Sequence, residues 1–268
     1  MPTIRANDLD IGYEIRGAGP PLVIAHGAAT TSTYTFGRQL AGMAAAFQVI
    51  MPDARGHGRT RWDVAAGFHA DWLVDDLEAF VDALGLGTFH LVGYSMGGMT
   101  ALGFAARYPT RVRTLVVAGI STAREPRASV VRRLMDPARI ERDEPDWAAD
   151  LARLDQTQGP GAWRNLVTAV AADVATQPLL SPVEVHGITA PTLVMCGDRD
   201  PLVPVDQAAD LARTVRDGRL FIAPSAGHDL TNDRAELCAT AMLDFYRSTE
   251  VVARARAGAV ETAREGSE

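Results

Sequence analysis

The sequence predicts an α/β fold: a mostly parallel, doubly wound sheet of about eight strands, interrupted by an inserted helical cap. Three observations carry that reading. Short apolar runs such as "PLVIAH", "FHLVGY" and "PTLVMCGD" alternate with segments of helical periodicity. Strands buried on both faces read as continuous apolar runs, and the helices between them act as crossovers. The alternation then stops between about Ser121 and Ala190, where helical patches occur without a clear strand. Finally, 268 residues, 47% of them hydrophobic, suffice for one large core with a modest insertion.

The elements follow in order. "TIRAN" and "DIGYEIRG" read as a hairpin around Asn7 and Asp8, and "PLVIAH" as the next strand. A helical stretch from near Thr33 to Ala45 precedes the strand "FQVIMPD". In "DWLVDDLEAFVDALG", Trp72, Leu73, Leu77, Phe80, Val81 and Leu84 share one helical face and Gly85 ends it. "FHLVGY" is a buried strand, "MGGMTALGFAARYP" a helix stopped by Pro109, and "RTLVVAGI" a further strand. After the interruption come "PTLVMCGD", a helix from about Val205 to Arg213, "GRLFIAP", and a last helix around Arg234 to Tyr246. The expected division is therefore 1–120 with 191–248 as core, 121–190 as helical cap, and 249–268 as a disordered tail poor in large apolar residues.

Composition narrows the function. A net charge of −7 and a pI near 5.4 give no electrostatic footprint for nucleic acid or anionic lipid. The first residues lack the apolar run of a signal peptide or membrane helix, so a cytoplasmic protein with no membrane partner is expected. Cys196 and Cys238 have neither metal-site nor disulfide-framework spacing and are expected reduced in the core. All basic side chains are arginines, which excludes a Schiff-base lysine.

Gly93-Tyr94-Ser95-Met96-Gly97 fits G-x-S-x-G, with a strand before it and a helix after it. A sharp turn there needs small flanking residues and exposes Ser95 at the carboxyl edge of the sheet. The Met96 amide, at the helix N-terminus, is placed to donate to a developing oxyanion. Alone, the pentapeptide is equally an ordinary strand-to-helix turn. A serine nucleophile needs a base, and the base an orienting acid. His228, in "APSAGHDL", follows the last strand; Asp200 and Asp198, in "CGDRDPLVP", follow the strand before it. The order Ser95, acid, His228 suits a hydrolytic triad on an α/β sheet.

With "HG" at His26, "DARGHGRT" from Asp53, "GYSMGG" and "GDRDPLVP…AGH", the chain resembles the α/β-hydrolase fold superfamily over roughly residues 10 to 247, in particular its cofactor-free serine hydrolases with a helical cap. The resemblance implies that Asp200, rather than Asp198, is the acid and that Ala28 supplies a second oxyanion amide beside Met96. It implies a carboxylic ester or lactone as the small-molecule substrate, an acyl-enzyme, and neither metal nor organic cofactor; a homodimer is left open. His26, Asp53, Arg55 and His57 are expected to organise loops. Ser95 disfavours relatives with an aspartate nucleophile. The alternatives are a C–C bond hydrolase, a perhydrolase or haloperoxidase-like enzyme, and a ligand-binding or signalling protein on the same fold. Within the cap, Met135, Trp147, Trp163 and Leu166 are expected to line an apolar pocket, the alternative being that they pack the cap onto the core. An arginine of the cap is able to hold a carboxylate there.

Overall fold

The structure, a computed structural model, describes residues 2–249. Its strands are β1 (Thr3–Ala6), β2 (Leu9–Arg16), β3 (Pro21–Ala25), β4 (Gln48–Pro52), β5 (Phe89–Tyr94), β6 (Val112–Ala118), β7 (Thr192–Gly197) and β8 (Gly218–Ala223). They form one sheet in the order β1-β2-β4-β3-β5-β6-β7-β8. β1 with β2 and β2 with β4 are antiparallel, and the remaining pairs are parallel. Asn7 and Asp8 make the predicted hairpin turn with φ of 46° and 59°, a left-handed pair that short polar side chains tolerate.

Each central strand divides its residues between two layers. Val23, Leu91, Leu115, Val117, Val194 and Cys196 join the core under α3 (Ala70–Ala83), α4 (Met96–Arg107) and α10 (Val205–Thr214). Leu22, Ile24, Val92, Val116, Leu193 and Met195 join the core under α1 (Ser32–Phe36), α2 (Leu40–Ala44) and α12 (residues 235–249). With both faces covered, an alternating backbone carries uninterrupted apolar residues. Cys196 and Cys238 are free, buried, and in different layers.

One expectation needs correction. The helical stretch at Thr33 to Ala45 is two short helices, because buried Gln39 at the break donates its Nε2 to the carbonyls of Thr231 and Ala235. Of the tail expected over 249–268, Thr249 is helical, in α12, and donates its hydroxyl to Phe245 O at 3.1 Å, while 250–268 lie outside the described residues.

Between β6 and β7 the chain is helical: α5 (Arg127–Leu134), α6 (Pro137–Asp143), α7 (Pro145–Leu154), α8 (Ala162–Thr176) and α9 (Pro182–His186). Proline opens three of them, at the position where its missing N–H costs nothing. The segment after α7 is tied to the loop after β4: Gly58 N–H donates to Asp155 Oδ1 at 3.1 Å, and Gln158 Nε2 reaches the carbonyls of Gly58 and Thr60 at 3.0 and 2.9 Å. The chain steps from β3 to β4 on one side and returns to β5 on the other, so strand order reverses at β3/β5. Crevices at such reversals are where ligands bind in open α/β sheets. Among the described residues, no helix is long and apolar enough to cross a membrane.

Candidate active site

The turn after β5 is as tight as its glycines imply. A Cβ on Gly93 would lie 2.2 Å from Gly97 O, and one on Gly97 would lie 2.2 Å from Ala25 O. Ser95 itself has φ 51° and ψ −116°, a region costly for a residue with a side chain, of order 1–3 kcal/mol. Its amide is anchored to Ala118 O at 2.8 Å, which holds the strained turn against β6.

Three side chains from three strand ends meet here. His228 Nε2 lies 2.9 Å from Ser95 Oγ, and His228 Nδ1 lies 2.8 Å from Asp200 Oδ2. The side chain of Asp200 is fully buried, and its other oxygen accepts the amides of Leu202 and Val203 at 2.8 and 3.1 Å. An ionised carboxylate only accepts, so Nδ1 carries the imidazole proton and Nε2 accepts from the serine hydroxyl. Asp198 is elsewhere, accepting the Ala226 amide at 3.1 Å and so bracing the loop that carries His228. Gly119, which the sequence reading missed, makes room for the ring: a Cβ there would sit 3.1 Å from His228 Cε1, and its φ is 65°. The only sequence signal was a glycine one residue past a strand.

Ala28 and Met96 border the same space. Strand register explains why. Ala25 pairs with Gly93 in the parallel β3/β5 ladder, so Ala28 and Met96 each stand three residues beyond paired positions. Neither amide has an acceptor among the described residues. Two buried histidines set the direction of the Ala28 peptide. His26 Nδ1–H donates to Gly27 O at 2.7 Å while its Nε2 accepts Ala54 N–H at 2.9 Å. In a trans peptide the carbonyl and the N–H point opposite ways, so holding Gly27 O aims the Ala28 N–H. His57 Nε2 accepts Ala29 N–H at 3.0 Å, and its Nδ1–H donates to Arg55 O at 2.9 Å. Burial lowers both pKa values, that of His57 to about 3 with the neighbouring His26 adding to it, so each ring stays neutral and keeps one donor and one acceptor. The loop is further held by Asp53 with Arg59 at 2.6 Å and by Arg55 with Asp76 at 2.7 Å.

Ser95, His228 and the two amides open into a largely apolar cavity of about 410 Å³. Met135 and Trp147 line it. Trp163 and Leu166 do not, which corrects the expectation for both. Trp163 is 2% exposed among Ala29, Ile140, Leu151 and Val167; Leu166 is 1% exposed beside Phe68, Leu73 and Val170. They stand on the first half of the inward stripe of α8, which packs against α6, α7 and the Phe68 loop. The second half of that helix, Val170, Asp173 and Val174, faces the cavity, followed by Gln177. Arg127, from the start of α5, also lines it. Among the described residues, no three His, Cys, Asp or Glu side chains gather as metal ligands.

Comparison with known proteins accords with this geometry. A family profile described as alpha/beta hydrolase fold matches residues 20–154, and one described as TAP-like protein matches 155–254. A non-heme haloperoxidase of Rhodococcus erythropolis is 29% identical, covering 92% of this chain and all of its own. A 2-hydroxy-6-oxononadienedioate/2-hydroxy-6-oxononatrienedioate hydrolase of Burkholderia vietnamiensis (strain G4 / LMG 22486) is 27% identical over 90% of this chain and 92% of its own. Among solved structures, a thermophilic esterase from Thermogutta terrifontis superposes with a TM-score of 0.74 at 26% identity, covering 92% of this chain and 97% of its own. The enol-lactonase from Burkholderia xenovorans LB400 shares the fold with a TM-score of 0.75 at 23% identity, over 92% of this chain and all of its own. With the sheet order, the reversal at β3/β5 and a profile spanning half the sequence in agreement, the chain belongs to the α/β-hydrolase fold family.

Proposed function

We propose that the protein is a serine hydrolase that cleaves a small to medium carboxylic ester or lactone through Ser95, His228 and Asp200. The observation that carries this reading is the unbroken hydrogen-bond run from Asp200 Oδ2 through both ring nitrogens of His228 to Ser95 Oγ, opening into the apolar cavity. Ser95 Oγ adds to the substrate carbonyl as His228 Nε2 takes its proton, and Asp200 fixes the tautomer and stabilises the imidazolium. The tetrahedral oxyanion rests between the Ala28 and Met96 amides, each contributing about 3 kcal/mol in enzymes of this kind. Collapse expels the alcohol, which takes the proton from His228; in a lactone it stays tethered. Water then loses a proton to His228 and attacks the acyl-enzyme, releasing the acid and restoring Ser95. The helical insertion acts as a cap, with Met135 and Trp147 shaping the acyl space, and the enzyme works on a free small molecule in the cytoplasm.

The test combines labelling and turnover. A fluorophosphonate probe labels wild type, which also turns over short-chain esters or lactones steadily, and Ser95→Ala loses both. Activity that survives in Ser95→Ala, or wild type that takes no label, overturns the reading. Turnover that stops after one equivalent supports a ligand-binding protein instead. The relatives named as dienedioate hydrolases favour a second reading, cleavage of a C–C bond by the same side chains. Including 2-hydroxy-6-oxononadienedioate beside the esters and lactones separates the two.

A further inference from the structure

One wall of the cavity carries a charge that the hydrolytic chemistry does not use. Arg127 is 6% exposed, lines the cavity, and has no hydrogen-bond or ion-pair partner for its Nε and Nη2 among the described residues. These two donors form the side-on edge of a guanidinium, with parallel N–H bonds spaced to match a carboxylate. The same chain shows that edge filled elsewhere: Arg55 Nε and Nη2 take the two oxygens of Asp76 at 2.8 and 2.7 Å. The acidic residue on the same wall, Asp173, is engaged differently, accepting the Ala70 amide at 3.2 Å at the start of α3. Nearby Arg124 is also committed, to the carbonyls of Val174, Ala175 and Gln177 that end α8. Burial, then the charge of Arg124, lowers the pKa of Arg127 to about 10, which still leaves it cationic at neutral pH. The charge of Asp173 opposes that shift without a hydrogen bond to the guanidinium, and a buried cation lacking a bonded counter-ion is costly until an anion reaches it.

We infer that Arg127 is the carboxylate-binding residue of this cavity, so that the substrate is an ester or lactone whose acyl portion bears a free carboxylate. This rests on the hydrolase reading and extends it to substrate class. Val131, Leu134 and Met135 continue the α5 face on which Arg127 stands. They give the acyl chain an apolar path along which its far end meets the guanidinium.

The decisive experiment compares 4-nitrophenyl hydrogen glutarate with 4-nitrophenyl pentanoate on wild type, Arg127→Met and Arg127→Lys. For wild type, kcat/KM favours the carboxylate ester by about 30-fold or more, the scale expected of a buried charge-assisted pair. Arg127→Met loses that preference and leaves the pentanoate within about 3-fold of wild type, and Arg127→Lys falls between them. An equal loss on both esters, or no loss on either, overturns the inference. Thermal melting covers failure to fold: without ligand Arg127→Met melts no lower than wild type, and a lower melting point marks a structural role and overturns the assignment. Glutarate raises the melting temperature of wild type and of Ser95→Ala, but not of Arg127→Met. If neither ester is hydrolysed while glutarate still stabilises only proteins with Arg127, the hydrolase reading fails and the carboxylate site stands. If the pentanoate ester is hydrolysed and glutarate has no effect, the hydrolase reading stands and the site is lost.

Discussion

The carboxyl edge of the sheet and the helical insertion face each other across one cavity and are built by different means. At the sheet edge, the groups that meet are attached within a few residues of strand ends: Ala28 after β3, Ser95 and Met96 after β5, Asp200 after β7, His228 after β8. Backbone geometry places them, and hydrogen bonds to main-chain groups from Ser95, Asp200, His26 and His57 hold them. In the insertion, side chains on helical faces meet the cavity, and one inward stripe of α8 serves two purposes, packing at Trp163 and lining at Val170. A residue's role there depends on which turn of the helix it occupies. The comparison teaches that the reaction is fixed by local chain geometry and the substrate by tertiary packing.

The strongest test of the sheet-edge side is Asp200→Asn. Oδ1 is committed to two amides, so the new NH₂ would face His228 Nδ1 and force the imidazole proton onto Nε2. Turnover is expected to fall about 10⁴-fold with the fold intact; Asp198→Asn, affecting only the Ala226 contact, is expected to cost far less, and a reversed ranking in ester hydrolysis would break the assignment. Next, Trp163→Ala is expected to cost about 3–5 kcal/mol of stability without changing the ranking of substrates. Trp147→Ala, at the cavity wall, is expected to change that ranking. Chemical denaturation and a chain-length series measure both, and a specificity change confined to Trp163→Ala would move the division between packing and lining. His26→Leu removes the donor that orients the Ala28 peptide, and about a 10²-fold loss is expected in kcat rather than KM.

The smallest effect lies where the two regions touch. Burial, then the charge of Asp53, raises the pKa of Asp155 to about 6 against the opposing Gly58 amide. The folded state therefore holds this proton more tightly than the unfolded chain, whose carboxyl titrates near 3.9. The contribution of Asp155 to stability is greatest below about pH 4, falls as pH rises to about 6, and stays reduced above that. Asp155→Asn is expected to raise stability at pH 7 by about 1–3 kcal/mol and to flatten this slope, as followed by melting temperature from pH 4 to 7. His57 works in the opposite sense: its lowered pKa makes stability fall as pH drops from 6.5 toward 3. Deleting Asp155 should therefore expose a steeper loss on the acid side.

The same division governs what could be read from the sequence. Alternating apolar runs revealed the sheet, because strands covered on both faces leave little room for polar residues. Ser95 was legible because glycines at 93 and 97 are required by contacts of 2.2 Å to backbone oxygens. His228 and the pair Asp198 and Asp200 stood out from their places after strands, and only the family resemblance preferred Asp200 to Asp198. Gly119 was not, since its need for a small residue comes from a ring more than a hundred positions away. Trp163 and Leu166 look like pocket residues by type, and only tertiary packing, of α6 and α7 on Trp163 and of Phe68 and Leu73 on Leu166, places them away from the cavity. Arg127 is one of eight arginines between 121 and 190. Nothing in periodicity shows that its Nε and Nη2, rather than the guanidinium of Arg124 three residues earlier, are without a hydrogen-bond partner among the described residues.

The register pairing Ala25 with Gly93 has a consequence for how such a site tolerates change. Ala28 and Met96, the proposed oxyanion donors, each follow by three residues a position paired across neighbouring strands, so their loops start from backbones about 4.8 Å apart, the interstrand spacing common to β-sheets. The sheet acts as a ruler, set by backbone pairing rather than by the identity of the side chains at 28 and 96. An engineer seeking new substrates can therefore alter the insertion extensively while the sheet-edge geometry proposed to receive the reacting oxygen is inherited unchanged.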